Sequence, residues 1–200
     1  MMKKFLLLLS GLLLLLAAGC GANRDNVNDN VDEDRVITAD SFSYVLPAGW
    51  VKSEEYSTEK KVFYVLSGHE QDEKPDNISV EIGTNRYAAD EHMRFREAIV
   101  SQLARQLQGI PGMLTGDGTF TDNEDVLYIF TFVEEVLDED GTSDLHADDE
   151  QRFAGVTSRQ YYIVGEKRYG MVYLTNFSGS EEVTAAADKM AKSFVWLDEE

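Results

Sequence analysis

The chain has 200 residues and carries 37 Asp and Glu against 18 Lys and Arg, a formal charge of −19 at pH 7. A surface this acidic argues against nucleic acid and against direct docking on anionic lipid headgroups, since both are polyanions. One cysteine leaves no intramolecular disulfide, so an ordinary hydrophobic core must hold a chain long enough for one well-buried domain.

The chain opens with Lys3-Lys4, followed by an apolar run over residues 5–18 and the sequence Leu16-Ala17-Ala18-Gly19-Cys20. A basic start, an apolar middle and a small-residue end form a secretory signal pattern. The apolar run falls short of the roughly 20 residues that a spanning helix needs. With the cysteine directly after the small residues, the stretch resembles the lipobox of bacterial lipoproteins. That resemblance implies cleavage before Cys20 and a diacylglycerol on its thiol, with Cys20 as the lipidation site. Further acylation, of the palmitate kind, would make the anchor durable, because two or more chains hold a protein on a bilayer where one does not. The expected location is the outer side of a bacterial cell membrane. Gly21 lacks the Asp-type retention mark, which in a two-membrane host points to the outer membrane.

Removal of residues 1–19 takes both leader lysines away, leaving 18 less 2 basic residues against 37 acidic ones, a mature charge of −21. Residues 20–35 are rich in Asn and Asp, with few apolar residues, and read as a self-repelling, flexible tether behind the lipidated cysteine. The folded domain is expected over residues 36–200.

Residues 41–46 alternate enough for a strand, broken by Pro47-Ala48-Gly49 before Trp50. Residues 61–66 and 78–82 are further strands, and these first strands are expected to form one antiparallel group. Residues 90–108 read as a helix with Asp90 as N-cap, Gly109 as the stop and Pro111 beyond. Met93, Ile99 and Leu103 are its expected core residues, with His92, Arg94 and Arg96 on or near solvent. Residues 113–121 contain Gly116 and Gly118 and are expected to bend or bulge. The run 126–133 is the most hydrophobic of the domain and is expected at the sheet centre. Residues 153–164 and 168–176 form a hairpin, for which Gly165-Glu166 has the composition of a two-residue type II′ turn. A closing helix over residues 180–194 carries an apolar stripe at 183, 186, 187, 190, 191 and 194, with Ser178 and Glu181 at capping-box spacing. Residues 195–197 finish the domain.

Six or seven strands with one helix in the middle and one at the end make an α+β fold, an antiparallel sheet covered by two helices. The Pro-x-Gly-Trp after the first strand, the Tyr161-Tyr162-Ile163-Val164-Gly165 hairpin and the ending from Met190 through Ser193-Phe194 to Trp196 resemble PsbP-like domains. That fold occurs in the photosystem II extrinsic protein and in many bacterial lipoproteins. The resemblance implies a central antiparallel sheet between helices and a binding or assembly role, and it names no site residue.

Residues 138–150 are the chain's densest acidic stretch and interrupt the PsbP-like pattern. Hard cations take six to eight oxygens, so Asp138, Asp140, Asp144, Asp148, Asp149 and Glu150 are the candidate ligands of a calcium ion. The EF-hand order is absent, and the same composition describes a solvated loop. His69-Glu70-Gln71-Asp72-Glu73 lacks the second histidine of a zinc-protease helix, and His69, His92 and His146 stand in three separate segments. No Gly-x-Ser-x-Gly elbow occurs, and Gly116-Asp117-Gly118 lacks the third glycine of a dinucleotide loop. Tyr128, Tyr161, Tyr162, Tyr169 and Tyr173 fall on neighbouring strands, where cross-strand packing explains them and an exposed binding patch is the alternative.

The expected function is a lipid-anchored, non-enzymatic binding or assembly module facing outside the cytoplasm. Its expected partners are the membrane through the anchor and a protein or ligand that the sequence does not identify. No cofactor is expected beyond the covalent lipid. The alternatives are a cation- or ligand-binding receptor using residues 138–150, and a hydrolase without a recognised motif.

Overall fold

The computed structural model describes residues 31–137 and 155–197. In chain order these form β1 (Arg35–Thr38), β2 (Phe42–Leu46), β3 (Trp50–Lys52), β4 (Lys61–Leu66), β5 (Asn77–Thr84), α1 (His92–Gln106), β6 (Gly112–Phe120), β7 (Val126–Glu134), β8 (Thr157–Val164), β9 (Arg168–Asn176), α2 (Glu181–Lys192) and β10 (Val195–Trp196). Two antiparallel sheets result: a large one in the order β3-β4-β5-β9-β8-β7-β6 and a small one in the order β1-β2-β10. The fold is thus the α+β arrangement that the element pattern implies, with a second sheet added.

Side chains alternate across a strand, so each strand of the large sheet serves two layers. One face carries Tyr64, Ile78, Val80, Leu127, Tyr161, Ile163, Val172 and Leu174, and α2 buries Val183, Ala186, Ala187, Met190 and Ala191 against it. The small sheet closes the same layer. Phe42 and Tyr44 stack in parallel with Phe194, and the Tyr44 and Tyr64 hydroxyls meet at 2.5 Å. The opposite face carries Tyr128, Phe130, Tyr162, Val164 and Met171 under Phe95, Ile99 and Leu103 of α1.

The first strands do not form one group. The Pro47-Ala48-Gly49 turn, with Gly49 at φ +82°, carries the chain from the small sheet into the large one, and β2 takes β1 and β10 as neighbours instead. Arg168 joins the two sheets by donating to the carbonyls of Ser41 and Leu197 while lying over the Trp196 ring. Docking also begins before residue 36. The Val31 carbonyl accepts from Gly49 N–H, Asp34 pairs with Lys189, and Arg35 donates to the Trp50 carbonyl.

The 126–133 run is a strand, but it is second from the edge, and β9 holds the centre. Residues 112–120 do not bulge: β6 pairs one to one with β7 from Gly112↔Glu134 to Phe120↔Val126. Its glycines make room for aromatic rings instead. A Cβ on Gly112 would stand 2.3 Å from the Phe132 ring, one on Gly116 3.0 Å from Phe130, and one on Gly118 3.3 Å from Tyr128. Rings of the hydrophobic strand are covered by lying across edge glycines.

In α1, Met93 is 52% exposed and Phe95 takes the core place expected for it, while Ile99 and Leu103 are buried as read. Asp90 lies in a preceding 3-10 turn and Glu91 is the N-cap, whereas Gly109 does terminate the segment, with φ +83°. The hairpin turn is Glu166-Lys167, one residue later than expected. Gly165 donates to the Arg168 carbonyl and has no positive φ, so this is not a type II′ turn. Glycine is needed there because Trp196 approaches within 3.0 Å of where a Cβ would sit. Ser180, two residues after Ser178, caps α2 by accepting from Glu182 N–H. The expected apolar stripe of α2 is buried throughout.

Candidate binding site

Strand register brings polar side chains together beside α2. The row Thr115–Thr131–Arg159 crosses β6, β7 and β8, and Asp117–Ile129–Tyr161 is the next row on the same face. The helix does not reach over this corner, and Thr115, Gly116, Asp117, Ile129, Thr131 and Arg159 line an open groove of about 450 Å³.

Arg159 is held from two sides. Its Nε donates to Thr131 Oγ1 at 3.0 Å, and its Nη1 donates to Asp188 Oδ1 of α2 at 3.2 Å. The same carboxylate oxygen accepts from the Tyr161 hydroxyl at 2.5 Å. Burial opposes the Arg159 charge, but Tyr161 and Asp188 outweigh it and raise the pKa above its ordinary value. Burial, then the hydrogen bond and charge of Asp188, push the Tyr161 hydroxyl far above the ordinary tyrosine range. The groove therefore presents a fixed cation backed by a carboxylate and flanked by hydroxyls.

On the opposite face, beyond the end of α1, Lys61 and Glu81 are cross-strand partners on β4 and β5 with their charged ends 3.8 Å apart. The Lys61 ammonium also lies over the rings of Phe63 and Tyr173, at 5.0 and 5.6 Å from their centroids. Burial lowers the Lys61 pKa and raises that of Glu81, each against the pull of the other. Tyr162, buried below, donates to Gln160 Oε1 at 2.7 Å.

Cys20 and the acidic set Asp138, Asp140, Asp144, Asp148, Asp149 and Glu150 lie outside the described residues, as does His146. His69 meets Asp72 in a loop, and His92 is partly buried with Nδ1 2.6 Å from the Tyr128 hydroxyl. Among the described residues no three His, Cys, Asp or Glu side chains cluster as metal ligands, and no helix is long and apolar enough to cross a membrane. Tyr128, Tyr161 and Tyr162 are buried, so they pack rather than form an open patch.

Sequence reasoning missed Arg159, Asp188, Lys61 and Glu81. One signal was available. Glu81 is a charge inside an alternating strand, Lys61 opens a strand of strong β formers, and Asp188 directly follows the alanine run of the closing helix; Arg159, in a polar stretch, gave no such signal.

No protein-family model matches the chain, and no curated protein matches it in sequence. Solved structures do resemble it. The solution structure of cyanobacterial PsbP (CyanoP) from Synechocystis sp. PCC 6803 is 14% identical, with a TM-score of 0.50, over 92% of this chain and 99% of that one. A crystal structure from Bacteroides thetaiotaomicron VPI-5482 is 10% identical at a TM-score of 0.43, over 79% of this chain and 46% of that one. The first likeness shows a PsbP-like fold.

Proposed function

We propose that the chain is a lipid-anchored module outside the cytoplasm that works by binding or assembly rather than by catalysis, with the groove beside α2 as its contact site. The observation that carries this reading is the fixing of Arg159 by Thr131 and Asp188. A preorganised guanidinium in an open groove suits recognition of a carboxylate or another hydrogen-bond acceptor on a partner. Every hydroxyl that touches it is engaged in positioning it or its carboxylate. The PsbP-like fold supports a module of this kind by analogy alone, since a fold does not dictate a function.

The anchor reading rests on residues 1–20 and is tested by metabolic labelling with an alkyne fatty acid. The wild-type chain takes label and Cys20→Ser does not; an unlabelled wild type ends that part of the proposal. For the groove, a photo-crosslinking residue at Thr115 in the full chain, in its own membrane, is expected to capture a species other than a second copy of this chain, and Arg159→Gln to abolish that capture with the chain still folded. Capture that survives Arg159→Gln places the contact elsewhere.

A further inference from the structure

The two edges of the large sheet differ. β3 is three residues long and includes Lys52, whereas β6 is nine residues long, regular and exposed at every position. A long, flat edge without proline, lysine or a bulge is a template for another strand, and folded proteins usually blunt such edges. Within β6 the sole charge is Asp117.

The direction of its free backbone groups follows from the bonds at its two ends. Glu135 N–H donates to the Pro111 carbonyl and Thr121 N–H to that of Asp125, so the odd-numbered residues face β7. Gly112, Leu114, Gly116, Gly118 and Phe120 therefore turn their N–H and C=O groups outward. Among the described residues, Gly118 N–H reaches only the Asp117 carboxylate of its own strand, at 2.7 Å, a bond that strand pairing would replace.

We infer that β6 pairs antiparallel with β6 of a second copy of this chain, about a two-fold axis through Gly116 that joins the two large sheets edge to edge. Only this register pairs all nine residues. On the α1 face it sets Leu114 against Gly118 of the other copy and Phe120 against Gly112, so each exposed apolar side chain lies over a glycine. On the other face Met113 meets Thr119 and Thr115 meets Asp117, with no like charges opposed. Sliding one pairing step in one direction brings Asp117 against its own copy. Sliding the other way sets Gly112 against Gly118 and carries Phe120 off the strand. The complementarity also accounts for Phe120, 62% exposed, and for the exposure of Leu114 and Met113. Arg96, 3.9 Å from where a Gly116 Cβ would lie, meets its own copy near the axis. That repulsion and the acidic net charge make added salt tighten the pairing.

In the proposed register Thr115 and the other copy's Asp117 form a non-hydrogen-bonded pair, with Cα atoms about 4.5 Å apart, within disulfide range. Thr115→Cys and Asp117→Cys, on differently tagged full-length copies in the same membrane, should give a mixed disulfide. Met113→Cys with Asp117→Cys should give far less, and the wild type, with Cys20 its only cysteine, reports the background. The detergent-solubilised full chain should sediment as a dimer that strengthens with salt. Leu114→Lys should weaken association by about tenfold or more with unchanged thermal unfolding. The inference is overturned by absence of the mixed disulfide, by equal yield from the mismatched pair, or by association that weakens as salt rises. The edge shares Thr115, Gly116 and Asp117 with the groove, and the captured species tells the two proposals apart: the mixed disulfide joins two copies of this chain and does not require Arg159.

Discussion

The two faces of the large sheet are made by the same strands and are finished differently. On one face α2 and the small sheet close over a continuous apolar layer, in which Phe194, Ala187, Met190 and Ala191 are fully buried. On the other face α1 covers only β7, β8 and β9 with a smaller aromatic cluster, and the charged pair Lys61–Glu81 lies partly buried beyond it. Alternation alone supplies residues to both faces. What makes one of them the main core is the number of other elements that close on it, and that depends on where the chain ends pack.

The largest expected effects test this ranking. Phe194→Ala should cost about 4 kcal/mol, because the ring is enclosed by Phe42, Tyr44, Trp196 and the backbone of Gly170 and the site cannot collapse. Phe95→Ala should cost about 3 kcal/mol, since α1 can settle toward the sheet. Denaturant midpoints measure both, and a larger loss at Phe95 would break the comparison.

Asp188→Ala should cost about 2 kcal/mol by leaving the buried Tyr161 hydroxyl without its acceptor and Arg159 without its anion. Thermal unfolding reads this directly, and Asp188→Asn should recover part of it by restoring an acceptor.

Replacing the charged pair together, Lys61→Met with Glu81→Leu, should be neutral or stabilise by about 1 kcal/mol, whereas Lys61→Met alone destabilises by stranding the Glu81 carboxylate. A double replacement as costly as the single would show that the pair is a stability device. The pH dependence is the smallest effect. Burial raises the Glu81 pKa above its ordinary 4.5, so the folded state prefers the protonated form. That preference contributes fully below the unfolded value and is lost as pH rises through the folded one. Lys61 has the opposite sense: its pKa is depressed from 10.5, and its cost appears as pH falls from the alkaline side. Glu81→Gln should therefore remove a decline in stability as pH rises above about 4.5. Urea titrations across that range measure the slope.

Much of the fold was legible because its signals are local. The stripe of α2 recurs at helical period and is buried as a unit, and the strands over 61–66, 78–82, 126–133 and 168–176 alternate or run apolar in the way strands do. The misreadings share a cause. Gly116 and Gly118 suggest a bulge when the strand is read by itself, but they are accommodated by rings from the neighbouring strand. Met93 and Phe95 are both apolar, and the way α1 seats on the sheet buries Phe95 and leaves Met93 exposed.

The candidate site was hardly legible, since its parts are far apart in the chain. Thr131 and Arg159 are separated by 28 positions and Arg159 and Asp188 by 29, with different elements carrying each. No spacing rule links them, because the link is made by strand register and by the seating of α2.

By itself the sequence determined the period of each main element and the α+β class, since both rest on neighbours within a few residues. Tertiary structure alone decided that β5 pairs with β9 across the intervening helix and strands, and that β10 returns from the end of the chain to β2. It likewise decided that Arg159 meets Asp188. Those choices depend on which surfaces can be buried together, a property of the whole chain that no local window contains.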